Sequence, residues 1–166
     1  NILTLVAVLG FLSISAQTTK FGVTAGFTNI TERAKSDEIS YSQSEAGFYI
    51  GALADFTVSE KFHIQPQALY ANAAESSFLY IPVLAKYYAA EKLFLLAGPQ
   101  ANIFLEETPE EINSVGIDLT FGLGYEINEN FFIEARYSFE MTNRYTGDFD
   151  ITDRLNTLHV GVGYKF

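Results

Sequence analysis

The chain of 166 residues is long enough for one domain, and its 20 acidic against 10 basic residues set a formal net charge of −10. That balance excludes a nucleic-acid surface, which needs cations against phosphates. The lack of cysteine excludes a disulfide framework and thiolate chemistry.

Aromatics reach 15 %, with 15 Phe and 10 Tyr, while charged residues make up only 18 %. So much ring surface suits either a richly packed soluble β-protein or a lipid-facing barrel. Residues Asn1 to Ser15 read NILTLVAVLGFLSIS, an uncharged apolar run followed by Ala16 and Gln17. Small residues at Ser13, Ser15 and Ala16 predict cleavage after Ala16, so 1–16 read as the remainder of a signal peptide and 17–166 as the mature domain. A buried N-terminal strand or helix is the alternative. Past this run no stretch reaches the roughly 18 apolar residues of a transmembrane helix.

From Lys20 onward, segments of alternating polarity recur at 20–30, 46–58, 62–72, 78–89, 93–105, 115–127, 131–142 and 155–166. Their lengths lie near the ~9–11 residues of a tilted membrane strand, with some overhang. Short connections at 59–61, 90–92 and 128–130 alternate with longer ones at 31–45, 73–77, 106–114 and 143–154. Short periplasmic turns and longer extracellular loops are the asymmetry of an outer-membrane barrel. The expected fold is therefore all-β: a closed antiparallel transmembrane β-barrel of about eight strands, monomeric and in contact with outer-membrane lipid.

Period two assigns the faces. In the sixth and seventh segments Val115, Ile117, Leu119, Phe121, Leu123, Tyr125, Phe131, Ile133, Tyr137 and Phe139 share one side. Asp118, Glu126, Glu134, Arg136 and Glu140 share the other, and with Lys86 they are expected to fill the lumen as an ion-pair network. Counted from the short turns, Lys86 and Glu134 lie at similar heights, and Arg136 can reach Asp118 or Glu134. A proton or ion path is the alternative reading. Pro66, Pro82 and Pro99 fall inside three successive strands, where each loses a ladder hydrogen bond, and bulges are expected there.

The two histidines, His63 and His159, sit within strands rather than long loops and read as hydrogen-bonded lumen residues, not catalysts. The acidic run Glu106-Glu107-Thr108-Pro109-Glu110-Glu111 could offer oxygens to a divalent cation, but it lacks the spacing of a calcium loop and reads as a solvated tip. No cofactor, metal or catalytic set is expected.

FHIQPQALY, FLYIPVLAKYY, LFLLAGPQANIFL, GLGYEI and the terminal GVGYKF together resemble the porin-family outer-membrane β-barrel domain of Bacteroidota, PorT-like or OmpX-like. The resemblance covers nearly the whole mature chain and includes the three prolines. It implies a small outer-membrane barrel with no catalytic motif. The final strand, ending in Tyr164 and Phe166, resembles the signal read by the barrel-assembly machinery. The functional expectation is a non-enzymic envelope or surface role, with outer loops displayed on a filled barrel. A narrow channel for small solutes and a secreted lipocalin-like carrier are the alternatives.

Overall fold

Alternation over ten or more residues can bury one face only as a strand, and in the computed structural model every regular element among the described residues is a strand. The structure describes residues 18–35, 40–147 and 151–166. Segment 1–16, expected from the sequence to be the remainder of a signal peptide, lies outside the described residues. The strands are β1 (Thr19–Lys35), β2 (Ser40–Thr57), β3 (Phe62–Ala73), β4 (Ser76–Tyr88), β5 (Leu93–Phe104), β6 (Val115–Glu126), β7 (Phe131–Glu140) and β8 (Thr152–Lys165). Each pairs antiparallel with the next, and β8 returns to β1, so the barrel is closed.

The apolar face points outward. Phe121 is 48 % exposed, Leu123 55 % and Val162 56 %, whereas Thr120, Arg136 and His159 on the alternate positions are at most 1 % exposed. This is the reverse of a soluble barrel. Tyr87, Tyr125, Phe131 and Tyr164 lie at the turn end of the belt, and Phe48, Tyr70 and Phe139 at the loop end. The Phe131 and Tyr164 rings meet at 4.9 Å, and those of Phe48 and Tyr70 at 6.5 Å.

Two connections differ from the sequence expectation. The stretch 31–45 is not a loop: β1 and β2 pair in unbroken register to Lys35 with Ser40, and β8 follows β1 to Thr152 with Lys35. The cause is cross-strand pairing, which a polar sequence can sustain above the membrane without an apolar face. Seven residues of β2 beyond the last β3 pair, Gly47 with Ala73, extend it by roughly 20 Å. At 73–77 the connection shrinks to a tight turn, with Ala74 in the left-handed region at φ 53°.

No bulge forms at the prolines. At each proline the ladder skips two pairs, Pro66 with Ala54 and Gln65 with Asp55, Pro82 with Gln67 and Ile81 with Ala68, Pro99 with Val83 and Gly98 with Leu84, and resumes in the same register on both sides. Each proline keeps its pair toward the following strand: Pro66 with Val83, Pro82 with Gln100 and Pro99 with Leu119. The missing N–H thus falls always toward the preceding strand. A lost hydrogen bond needs no inserted residue, so register survives.

Candidate functional site

The lumen divides into layers because each strand contributes one inward side chain every second residue. At the turn end, Lys86 Nζ lies 3.2 Å from Asp55 Oδ2 and 3.1 Å from Glu126 Oε1. Lys165 Nζ joins the same carboxylates at 3.7 and 2.6 Å, and His63 Nδ1 contacts Asp55 Oδ1 at 2.6 Å. Lys86 therefore pairs with Glu126 and Asp55, not with Glu134 at a similar height. Strand tilt carries facing positions past one another in a barrel, so counting from the turns misplaces partners.

Hydrocarbon packs directly against this cluster: Lys86 Nζ lies 4.2 Å from the Phe94 ring centroid, and Lys165 Nζ 5.8 Å from that of Phe132. Leu53, Leu84, Phe94, Leu96 and Phe132 are all at most 4 % exposed and form one buried cluster. Glycine makes this packing possible. A Cβ on Gly124 would lie 2.2 Å from the Phe94 ring, and one on Gly163 would lie 2.0 Å from the Phe132 ring. Each ring thus lies on the bare backbone of the glycine it pairs with on the neighbouring strand, Phe94 on Gly124 and Phe132 on Gly163.

In the next layer Arg136 Nη1 donates to Gln67 Oε1 at 2.7 Å, and its Nε lies 3.5 Å from Glu134 Oε1. Arg136 does not reach Asp118, which instead accepts from Gln100 at 2.7 Å and from Asn102. His159 makes no hydrogen bond through either ring nitrogen. It packs edge-on against Tyr49 and Tyr80 at 4.7 and 5.2 Å, so the expected hydrogen-bonded lumen histidine is an aromatic-packed one.

At the loop end Glu140 pairs with Arg144 Nε at 2.9 Å and accepts from the Leu155 N–H. Arg144 also donates to Asn102 and to the Asn113 carbonyl. Glu106, in the acidic run, accepts the Ser77 N–H through both oxygens at 2.9 and 3.0 Å and so closes the β3–β4 turn. Among the described residues no group of carboxylates or histidines is arranged to hold a metal.

Sequence reasoning missed Asp55, Lys165 and Arg144, which supply half of these contacts. Asp55 and Lys165 carried a signal, since both fall on the inward phase of their strands; Arg144 lies in a loop and carried none.

A cavity of about 210 Å³ opens above these layers. Glu32, Glu45 and Asp153 line it from the strand extensions, beyond the apolar belt, where outward residues have turned to Thr31, Arg33, Ser44 and Arg154. Burial, then the Asp153 and Glu45 charges, raise the Glu32 carboxyl above its usual 4.5. Burial likewise raises Asp153, partly opposed by Arg144.

A family model described as the outer membrane protein beta-barrel domain matches residues 70–146. Among solved structures, the chain is similar to Neisserial surface protein A, with TM-score 0.54 and 16 % identity over 90 % of this chain and 99 % of that one. It is also similar to Ail, the attachment invasion locus protein of Yersinia pestis, with TM-score 0.51 and 17 % identity over 89 % and 98 %. A de novo designed transmembrane β-barrel matches with TM-score 0.50 and 12 % identity over 89 % and 95 %. No curated protein matches the chain. The outward apolar belt, the polar interior and the family match place the chain in the outer membrane.

Proposed function

We propose that this chain is a non-enzymic, non-conducting envelope protein, a PorT-like or OmpX-like barrel that anchors its loop end at the cell surface. One observation carries the reading: the inward side chains Leu53, Leu84, Phe94, Leu96 and Phe132 are all at most 4 % exposed and pack as one cluster inside the barrel. A bore closed by rings and leucines has no water column for ions, which counts against the narrow-channel alternative. The projecting part supports a display role, because β1, β2 and β8 continue as a three-stranded sheet well beyond the last β2–β3 pair. Function on a rigid scaffold concentrates in such projecting parts. The chain acts as a monomer held by lipid, and enters the membrane through assembly machinery that reads Tyr164 and Phe166.

Planar-bilayer recording on the refolded chain tests this. The expected result is no steady single-channel conductance across physiological voltages. A resolved, reproducible conductance step overturns the reading in favour of a pore.

A further inference from the structure

Cations are scarce in this chain and unevenly placed. Of the 10 basic residues, Lys86, Arg136, Arg144 and Lys165 are buried, and Lys20, Lys61 and Lys92 lie at the turn end. The others, Arg33, Lys35 and Arg154, are exposed together on the extended sheet of β1, β2 and β8.

Alternation gives that patch a single sign. Arg33, Lys35 and Arg154 share the outward phase of Phe27 and Val160, and the positions around them on that face are Thr31, Ser40, Ser42, Ser44, Thr152 and Asn156. The acidic residues of the same segments, Glu32, Glu45 and Asp153, take the other phase. Arg33 and Arg154 are also direct cross-strand partners. Like charges directly opposite destabilise a sheet, and an anion held between them removes that cost. Among the described residues none of the three cations takes part in an ion pair.

Height identifies the anion. β1 rises twelve residues from the lipid-facing Phe21 to Arg33. At ~3.3 Å per residue and a tilt of about 40°, that is about 30 Å, just beyond an apolar band of ~25 Å. Below the patch Phe27, Phe48 and Val160 meet in one exposed rung of the belt. A lipid whose chains lie on that rung carries its headgroup to the level of the arginines.

We propose that Arg33, Arg154 and Lys35 hold the phosphate of an anionic lipid headgroup at the loop-end rim of the belt. A guanidinium fork matches two phosphate oxygens at once, so two facing arginines can share one phosphate, with the lysine adding a point charge. A soluble anion gains nothing from the apolar rungs beneath, whereas a lipid uses both surfaces.

The full chain is placed in phosphatidylcholine nanodiscs in which phosphatidylglycerol replaces a rising share of the lipid, with amide NMR shifts followed at Thr31, Ser44 and Asn156. The shifts are expected to saturate as that share rises, and glycerol phosphate added in solution to pure phosphatidylcholine discs is expected to leave them unmoved. Arg33→Gln combined with Arg154→Gln is expected to raise the half-saturating share at least about fivefold, and Arg33→Lys with Arg154→Lys to recover part of the loss. Lys61→Gln with Lys92→Gln removes the same charge at the turn end and is expected to change nothing. Saturation by glycerol phosphate means a soluble-anion site only, and an equal loss in the Lys61 and Lys92 variant means overall charge only; either result overturns the proposal. So does a flat response of the unaltered chain to phosphatidylglycerol, or an unchanged half-saturating share in the glutamine variant of the arginines. The lipid and soluble-phosphate arms use the unaltered chain, so they decide the question even where a variant fails to assemble.

Discussion

Replacing Arg136 by leucine isolates the middle layer of the lumen. The Arg136 and Glu134 side chains are each 1 % exposed, and no other cation lies within ion-pair distance of Glu134 among the described residues. Truncation therefore leaves a buried carboxylate without its counter-charge, a loss of about 3–5 kcal/mol. Gln67 also loses its 2.7 Å donor, which adds about 1 kcal/mol. Lys86→Met offers an internal comparison. There Glu126 keeps Lys165 at 2.6 Å and Asp55 keeps His63 at 2.6 Å, so the cost should stay near ~2 kcal/mol. The double variant Glu134→Gln/Arg136→Met removes both charges together and should return to within about 1 kcal/mol of the parent. Urea unfolding in micelles reads these differences as midpoint shifts at constant slope, and SDS resistance of the unboiled gel band gives an independent check. If Arg136→Leu unfolds at the parent midpoint, the inward, ion-paired assignment of β7 is wrong. If the double variant is as weak as the single, the loss came from packing rather than charge.

Orientation is read by inserting a protease site at Glu110 in the 105–114 loop or at Glu129 in the 127–130 turn. Intact cells should expose the first and protect the second, and the opposite result inverts the topology. Phe166 donates its N–H to the Phe21 carbonyl at 2.9 Å, at the β8–β1 closure, and its side chain is 67 % exposed to lipid. Its deletion should lower outer-membrane yield and leave chain in the periplasm, whereas unchanged yield removes it as an assembly signal. Acidity should stabilise the extended sheet. The raised Glu32 and Asp153 carboxyls favour the neutral form when folded, so their contribution is present in acid and lost as pH rises past the ordinary values, 3.8 for Asp153 and 4.5 for Glu32. Amide exchange at 31–35, corrected for intrinsic rates, should then show protection falling with pH, and rising protection contradicts the raised carboxyls.

Period-two alternation in β6 and β7 was enough to separate Phe121 and Ile133 from Thr120 and Glu134, because a strand offers a side chain only two directions. Eight such segments with short turns between them determined a closed barrel, and the segments beginning at Phe62, Leu93, Val115 and Phe131 start where the strands do. The apolar run at 1–16, the alternation of short and long connections and the terminal Phe166 pointed to lipid, not a core, as what receives the apolar side, because alternation alone suits either. Where β1 and β2 end was not legible, since 31–45 carries no apolar periodicity and its pairing rests on backbone hydrogen bonds that any polar residue permits. Nor was the effect of the prolines, because skipping a rung and inserting a residue look alike until both neighbouring strands are in place. Partner choice in the lumen was decided by tertiary structure alone. Alternation states that Lys86, Arg136 and Asp118 all point inward, but tilt and closure bring Lys86 to Asp55 and Glu126, and leave Asp118 to Gln100 and Asn102. The direction of a side chain is a local property of the strand, whereas the atom it meets across the bore depends on the position of every other strand in the barrel.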